Sequence, residues 1–290
     1  FTMYCLMLSF AAWMSSSPGW AIFFMGASAL VGWPFAVLTG IIMSLDLVLE
    51  HGLLTAIKHG LVAAAACVLP SLAVDYLFYR KLVFAVLNIA VYNASSTHGS
   101  NLYGIEPWTY WVHNLALNFN VAAVLAALSV PVFLLSYVVG YDRRVVAAGK
   151  YCVVPLAIWM AAMFSMPHKE ERFLYVVYPH ICLAAAFAVS EVLAALRRFL
   201  PSGLVSFAAA AVSVAFVALS VSRSASLVVN YSAPFQVYSH LYRHGSSPSF
   251  SSSPSSSSSN GGKATTDVCV GKEWYRFPSS FFLPEHSAAP

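Results

Sequence analysis

The stretch Pro167-His168-Lys169-Glu170-Glu171-Arg172-Phe173 places five consecutive ionisable side chains between two apolar stretches of the chain. Charged groups in or near lipid are energetically expensive, so within an apolar chain they indicate a functional site by default. A solvated connecting loop is the alternative, although a simple loop rarely needs two acids and two bases side by side. We therefore take residues 167–173 as the first candidate site.

The composition is typical of a polytopic membrane protein. Of the 290 residues, 59% are hydrophobic and 9% are charged, whereas soluble domains carry about 25% charged residues. A helix of about 17 to 25 apolar residues can cross a bilayer. The windows that fit, of which the last two are weaker, are 20–43, 59–79, 115–140, 175–196, 203–221, 1–14 and 151–166. We predict an all-α membrane bundle over residues 1–221 with about seven spans.

The loops between these spans differ in positive charge and in glycosylation sequons. Cytosolic loops tend to collect Lys and Arg, and the loops on one side of the predicted bundle carry six such residues against four on the other. Both sequons, at Asn93 and Asn230, fall on the side that has four Lys and Arg residues. This position favours a luminal location for that side and glycosylation of these two residues. The segments that we therefore place in the lumen are 80–113, 165–174 and a small C-terminal tail, 222–290.

The tail 222–290 contains a segment of low complexity. Residues 245–262 are almost entirely Ser, Pro and Gly, a composition that cannot bury enough apolar surface to fold. Residues 267–277 alternate apolar and polar side chains and include aromatic rings, which is typical of a strand packed against another element. We predict a disordered linker followed by a small folded piece.

A second polar and aromatic cluster lies in the long loop 80–113. Loops longer than about 12 to 15 residues are usually functional or disordered, and the aromatic content of this one argues against disorder. Tyr and Trp rings suit both anchoring at a membrane surface and stacking on sugar rings. An aromatic belt at the bilayer surface is the alternative for Trp108, Tyr110 and Trp111. The pair Glu106-Pro107 is harder to explain as part of a belt.

Cysteine usage and the absence of known motifs exclude several functional classes. Four of the five cysteines lie inside apolar stretches, so they form no disulfide framework. The sequence has no CxxC, His/Cys cluster or HExxH pattern and no Gly-rich phosphate loop. We expect no metal, no other cofactor and no nucleic-acid partner, and we exclude a nucleotide-driven pump.

Four motifs occur along nearly the whole chain outside the Ser-rich linker. They are Gly32-Trp33-Pro34-Phe35, then Leu102-Tyr103-Gly104-Ile105-Glu106-Pro107-Trp108, then His168-Lys169-Glu170-Glu171-Arg172-Phe173-Leu174 followed by Tyr178-Pro179, and finally Val270-Gly271-Lys272-Glu273-Trp274-Tyr275-Arg276-Phe277-Pro278-Ser279-Ser280. In this order the motifs resemble glycosyltransferase family 22. The resemblance implies a membrane bundle of the GT-C type.

The resemblance also implies a reaction. Enzymes of this family transfer mannose, with inversion, from dolichyl-phosphate mannose to a mannose of a lipid-linked glycan in the endoplasmic reticulum membrane. Glu106 and the tail motif favour the alpha-1,2 transfer to a dolichol-linked oligosaccharide in asparagine-linked glycan assembly. Assembly of the glycosylphosphatidylinositol anchor is the alternative within the family. A polytopic transporter is the alternative from another class, although the sequence shows no internal repeat.

By the same resemblance, the motifs carry the donor-phosphate and substrate contacts. Cations must stabilise the phosphate leaving group, and Arg and Lys are its usual binders. The candidate residues are His168, Lys169, Glu170, Glu171, Arg172, Tyr103, Glu106 and Trp108. If residues 168–172 are helical, His168 and Arg172 share one face, four residues apart.

The general base stays unassigned in this sequence. The resemblance implies an acidic motif in an early luminal loop, and the chain contains no such motif near its first residue. Asp75 lies inside the strongly apolar span 59–79, and we expect it to pair with Arg80 or to lie near the interface. Because the first residue is not Met and the chain begins within an apolar stretch, we expect a fragment that lacks the catalytic loop.

Overall fold

The computed structural model describes residues 1–95, 104–140 and 142–230, together with Ser232, Gln236 and Ser239. These residues divide between two units, Phe1–Val217 and Ala218–Pro290. Both candidate sites lie in the first unit. The predictions for Tyr103, for the linker 245–262 and for the strand 267–277 lie outside the described residues.

Every regular element in the described part of the chain is helical. The α-helices are α1 (Thr2–Met14), α2 (Pro18–Ala27), α3 (Ile41–His51), α4 (Leu53–Tyr79), α5 (Ala85–Ser95), α6 (Thr109–Phe119), α7 (Val121–Val139), α8 (Arg143–Ala148), α9 (Val154–Ser165), α10 (Tyr178–Leu196) and α11 (Ser202–Asn230). Short π-helical turns cover Ser28–Gly32 and Gly149–Val153, and 3₁₀ turns cover Pro34–Gly40 and Glu171–Val177.

Six of the described helical segments are long and apolar enough to cross a membrane. They are Pro34–His51, Leu53–Tyr79, Val121–Val139, Arg143–Ser165, Glu171–Leu196 and Ser202–Asn230. The chain is therefore an all-α polytopic membrane protein, as predicted. Thr2–Met14, which corresponds to the predicted span 1–14, and Pro18–Gly32 are apolar but shorter, so the described residues contain six such segments where seven spans were predicted.

The prediction of one span over residues 20–43 was wrong, because the chain breaks at Trp33-Pro34. A residue before proline is driven into the extended region, and Trp33 has φ −111° and ψ 117°. Its backbone N–H donates to the Thr2 hydroxyl at 3.1 Å and to the Ser28 carbonyl at 2.9 Å. The break separates α2 from a second segment that begins at Pro34.

The predicted span 115–140 is divided at Asn120. This residue has a positive φ of 43°, a conformation that Asn tolerates better than most residues. Its side-chain oxygen accepts from the Val121 backbone N–H and caps α7. Helix α6 is therefore separate from α7, and together with α5 it makes part of the predicted loop 80–113 helical. At the other end of the chain, α11 continues to Asn230, beyond the predicted end at residue 221.

The buried core of the first unit lies between α1, α3, α6, α9 and the segment after α9. The largest fully buried side chains include Leu6, Met43, Trp111, Trp159, Met163 and Leu174. Three of these, Trp159, Met163 and Leu174, lie within fifteen residues of one another around the end of α9. The elements that hold residues 166–173 are therefore packed into the core, which restricts the positions of the candidate site residues.

An ionic cluster joins three elements at the far end of α9 from the candidate site. Lys150 forms ion pairs with Asp46 and, at 3.3 Å, with Glu50. The Trp13 indole N–H donates to Asp46 at 2.7 Å, and the Lys150 ammonium lies 5.3 Å from the centroid of that ring. With a rise of about 1.5 Å per residue, Lys150 is about 24 Å from Met166 along the helical segment.

Loss of the Lys150 ammonium is expected to destabilise the bundle without changing the candidate site. Lys150→Met leaves Asp46 partly buried without its cation, which should cost about 1 to 3 kcal/mol in the free energy of unfolding. The measurement is thermal unfolding of the full-length protein in detergent. The control is Lys58→Met, because Lys58 is exposed and forms no ion pair within the described residues. An equal midpoint for both variants would contradict the interhelical role of Lys150.

Candidate functional site

The segment between α9 and the next turn is extended rather than helical. Pro167 forces the preceding Met166 into the extended region, with φ −73° and ψ 133°, so α9 ends at Ser165. Glu170 is extended as well, with φ −134° and ψ 141°. A helical turn starts only at Glu171. His168 and Arg172 are therefore not related by one helical face, and their proximity depends on Glu170, which contacts both.

Lys169 is buried and binds backbone carbonyl groups of two segments. Its exposed fraction is 6%, and its ammonium donates to the Glu106 carbonyl at 3.0 Å and to the Met166 carbonyl. The backbone N–H of Glu106 in turn donates to the Pro167 carbonyl at 3.0 Å. Lys169 therefore holds the loop 104–108 against residues 166–169, two segments about sixty residues apart in the sequence.

His168 makes a second link to the same loop. Its Nδ1 lies 2.9 Å from the Gly104 carbonyl, and its Nε2 lies 2.9 Å from Glu170 Oε1. The two ring nitrogens thus contact a backbone carbonyl of the loop on one side and a carboxylate of the motif on the other. Gly104 has φ +105°, a conformation in which glycine is favoured. The Gly104 conformation and the His168 contact together fix the start of the loop 104–108.

Glu170 links His168 to Arg172. One carboxylate oxygen contacts His168, and the other forms an ion pair with Arg172 Nε. Burial raises the pKa of Glu170, but the hydrogen bonds and charges of His168 and Arg172 outweigh burial and hold that pKa below its usual range. Glu170 is therefore an anion at neutral pH, and acidification through its lowered pKa would remove its stabilising contribution.

Arg172 is the exposed cation of the site. Its side chain is 71% exposed, and only its Nε is engaged by Glu170. Within the described residues no partner is recorded for its two terminal amino groups. A guanidinium held at Nε still presents a planar pair of N–H donors, which suits bidentate contact with phosphate oxygens.

The loop 104–108, which His168 and Lys169 contact, presents exposed groups. Trp108 is 63% exposed, Glu106 is exposed, and no partner of the Glu106 carboxylate is recorded among the described residues. Trp111 differs, because it is fully buried and its indole N–H donates to the Met163 carbonyl at 2.9 Å. The belt interpretation is therefore wrong for Trp111, while the exposure of Trp108 fits either a membrane surface or a sugar.

Glu171 has a partner that the sequence analysis did not identify. Asn118 Nδ2 donates to Glu171 Oε1 at 2.9 Å and lies 3.3 Å from the Tyr178 hydroxyl. Asn118 was missed because it falls inside the apolar window 115–140. A polar residue within an apolar window is itself an indication of function, and that criterion would have identified it.

Aromatic rings support the motif segment from the core side. Phe173 stacks on Trp33 with ring centroids 4.9 Å apart, and Trp33 contacts Trp159 edge-on at 5.4 Å. Aromatic pairs of this kind stabilise by about 0.5 to 1.5 kcal/mol beyond their buried area. The motif at residues 32–35 therefore packs directly against the motif at residues 168–174.

No general base is identified by the structure. Asp75 accepts a hydrogen bond from the Ala85 backbone N–H at 2.9 Å, so it caps α5, and no ion pair with Arg80 is recorded in the described part of the chain. The first of the two expectations for Asp75, an ion pair with Arg80, is therefore not met, while a position near the interface stays a prediction. Among the described residues, no group of three or more His, Cys, Asp or Glu side chains is placed to hold a metal ion.

Comparison with known proteins identifies the family. The model of the Alg9-like mannosyltransferase family matches residues 1–284. The chain belongs to the Alg9-like mannosyltransferase family. This result confirms the resemblance to glycosyltransferase family 22 that the four motifs indicated.

Curated relatives of this Alg9-like chain come from animals, a plant and fungi. It is similar to alpha-1,2-mannosyltransferase ALG9 of Mus musculus, with 37% identity over 99% of this chain and 48% of the relative. It is also similar to alpha-1,2-mannosyltransferase ALG9 of Saccharomyces cerevisiae, with 33% identity over 89% of this chain and 43% of the relative. The chain thus spans about half the length of the curated relatives it matches.

The alternative within the family receives less support. GPI mannosyltransferase 3 of Debaryomyces hansenii is 28% identical over 40% of this Alg9-like chain and 19% of the relative. That match is shorter and weaker than the matches to the ALG9 proteins. No solved structure matches the chain significantly.

Proposed function

We propose that the full-length protein transfers mannose from dolichyl-phosphate mannose to a mannose of a dolichol-linked oligosaccharide, in alpha-1,2 linkage, at the endoplasmic reticulum membrane. Membership of the Alg9-like family and the similarity to the ALG9 proteins support this reaction. The structural observation that carries it is the exposed Arg172 guanidinium, which the partly buried Glu170 holds in a segment that the buried His168 and Lys169 join to the loop 104–108.

In this proposal Arg172 contacts the donor phosphate. Breaking the bond between the mannose anomeric carbon and the phosphate oxygen leaves negative charge on the phosphate, which a preorganised cation stabilises. The ion pair between Glu170 and Arg172 Nε orients the guanidinium before the donor binds, so less orientation entropy is lost on binding. The terminal amino groups then supply the two parallel hydrogen bonds.

His168 and Lys169 have positioning roles in the same proposal. Both side chains are buried and contact carbonyl groups of the loop 104–108, so they fix where Glu106 and Trp108 face the substrates. The positive charge of Lys169 also adds to the potential that attracts a phosphate. Glu106, Trp108 and Tyr103 are proposed substrate contacts, and Glu171 is proposed to bind sugar hydroxyl groups.

The sidedness of the bundle is part of the proposal. The hydrogen bond between the Glu106 N–H and the Pro167 carbonyl supports placing loops 80–113 and 165–174 on one side of the membrane, the lumen. We also propose that the tail 222–290 is luminal. The dolichol chains of the acceptor and the donor would then lie in the lipid. The sugar groups of both substrates would reach the site on its luminal side.

Glycosylation tests this sidedness. We expect an endoglycosidase-sensitive mass shift of the full-length protein that is reduced by Asn93→Gln and by Asn230→Gln, because both sequons are proposed to be luminal. The control is a sequon introduced between residues 142 and 149, which should stay unmodified. Modification of the introduced site would contradict the topology.

Product analysis tests the reaction. Purified full-length protein is incubated with radiolabelled dolichyl-phosphate mannose and a dolichol-linked oligosaccharide. The expected product is the acceptor enlarged by one mannose, which an alpha-1,2-mannosidase releases. An unchanged acceptor in the presence of folded protein would overturn the proposal. Movement of either substrate across vesicles without chemical change would favour the transporter alternative.

A further inference from the structure

A polar cluster at the C-terminal end of α6 lies outside the contacts assigned above to the donor phosphate. Asn118, in the last turn of α6, donates through Nδ2 to Glu171 Oε1 at 2.9 Å. The same amide nitrogen lies 3.3 Å from the Tyr178 hydroxyl and 3.4 Å from Asn114 Oδ1. Three elements, α6, the turn at Glu171–Val177 and α10, therefore meet in one hydrogen-bonded group.

This cluster is exposed and has unused hydrogen-bonding capacity. Asn118 and Glu171 are both exposed, and within the described residues no partner is recorded for Asn118 Oδ1 or for the second Glu171 carboxylate oxygen. The Tyr175 ring is 46% exposed and contacts the Tyr178 ring edge-on at 5.1 Å. The surface thus combines a carboxylate and an amide with an accessible aromatic ring.

The chemistry of the group selects the class of ligand. A carboxylate and an amide oxygen accept hydrogen bonds from hydroxyl groups, and an aromatic ring covers the apolar face of a sugar. An anion such as phosphate would be repelled by Glu171. A neutral hexose offers adjacent hydroxyl groups and an apolar face, so it satisfies every member of the cluster.

The position of the cluster relates this hexose to the reaction. Glu171 and Arg172 are consecutive, and their Cα atoms are about 3.8 Å apart. A sugar bound by Glu171 therefore lies beside the proposed donor-phosphate contact. At the other end of α6, Trp108 is about 15 Å from Asn118 along the helix axis, which leaves room for further sugar residues of a branched glycan.

We propose that Asn118, Glu171 and Tyr175 form a subsite for a neutral hexose of the acceptor glycan. This inference rests on the proposed mannosyl transfer and assigns the acceptor, rather than the donor, to this face of the site. Asn118 and Tyr175 are then residues that determine acceptor specificity. If the cluster were purely structural, its loss would change the stability of the protein, and the KM for the acceptor would change no more than the KM for the donor.

The test compares acceptor and donor kinetics in the full-length protein. Glu171→Gln and Asn118→Ala are expected to raise the KM for the dolichol-linked oligosaccharide about tenfold, in line with the loss of one hydrogen bond to a charged group. The KM for dolichyl-phosphate mannose should change less than about twofold by the same reasoning. Thermal unfolding in detergent is measured on every variant.

The matched control is Glu191→Gln. Glu191 lies on the same helix as Tyr178 and also accepts a hydrogen bond from a polar side chain, Ser136 Oγ, at 3.2 Å. It is about 30 Å from Glu171 along the helical segment, so its replacement should leave both Michaelis constants unchanged. If Glu171→Gln unfolds at a lower temperature than Glu191→Gln, the acceptor KM of Tyr175→Ala tests the subsite instead. A raised acceptor KM in Tyr175→Ala supports the subsite, and an unchanged one overturns it.

The outcomes separate the subsite from the proposed function. One outcome overturns the subsite and leaves the proposed function standing. In that outcome the wild-type protein transfers mannose and Arg172→Ala is impaired, but the acceptor KM is unchanged in the Glu171, Asn118 and Tyr175 variants. An equal rise in both Michaelis constants would also overturn the subsite. If the wild-type protein transfers no mannose, both proposals fail.

Discussion

Arg172→Ala in the full-length protein is expected to lower kcat/KM for mannose transfer by about 10- to 100-fold, because one charge-assisted hydrogen bond to phosphate contributes about 1.5 to 3 kcal/mol. Thermal stability should change little, since the side chain is 71% exposed. Arg172→Lys should also be impaired, because an ammonium cannot make the bidentate contact of a guanidinium. The measurement is initial-rate kinetics with radiolabelled donor.

The control for this substitution is Arg198→Ala. Arg198 is an exposed arginine just beyond the end of α10, far from the motif segment along the chain. Its replacement removes the same charge and should leave the rate unchanged. Wild-type rates in both Arg172 variants would place the phosphate contact on another residue.

Lys169→Ala is expected to lower the transfer rate by about 100-fold and to destabilise the loop 104–108. The substitution leaves the Glu106 and Met166 carbonyl groups without the ammonium, and each buried unsatisfied acceptor costs about 1 to 3 kcal/mol. The loop should then lose protection against amide hydrogen exchange, which is measured by mass spectrometry alongside activity.

The two possible roles of Lys169 differ in this exchange measurement. A positioning role predicts faster exchange at residues 104–108, whereas direct phosphate contact alone predicts lost activity with unchanged exchange. The control is Lys81→Ala, because Lys81 is an exposed lysine on the same predicted side of the membrane. Unchanged exchange in Lys169→Ala would contradict the positioning role.

The fold class could be predicted from the sequence because hydropathy is additive over a window. Long apolar windows such as 59–79 and 175–196 correspond to helices of the structure. The same additivity hides helix breaks, since one residue barely changes the mean hydropathy of a window. Trp33-Pro34 and Asn120 each end a helix through backbone conformation, and local φ and ψ preferences rather than hydropathy would have identified them.

The candidate site could be predicted in its residues but not in its contacts. The charges of residues 168–172 were evident because they interrupt an apolar chain. The sequence carries no local indication that the Lys169 ammonium binds carbonyl groups of a loop about sixty residues away. That contact depends on tertiary packing, and for this reason Lys169 and Arg172 appeared equivalent until their burial was known.

The size of the lipid-linked glycan in cells tests the account most directly. The full-length protein is expressed in Saccharomyces cerevisiae cells that lack their own alpha-1,2-mannosyltransferase ALG9, and the lipid-linked oligosaccharides are released and sized. We predict that the wild-type protein restores the missing extension and that Arg172→Ala, present at an equal level, leaves the glycan short. Full extension by Arg172→Ala, or no extension by the wild-type protein in the membrane, would contradict the account.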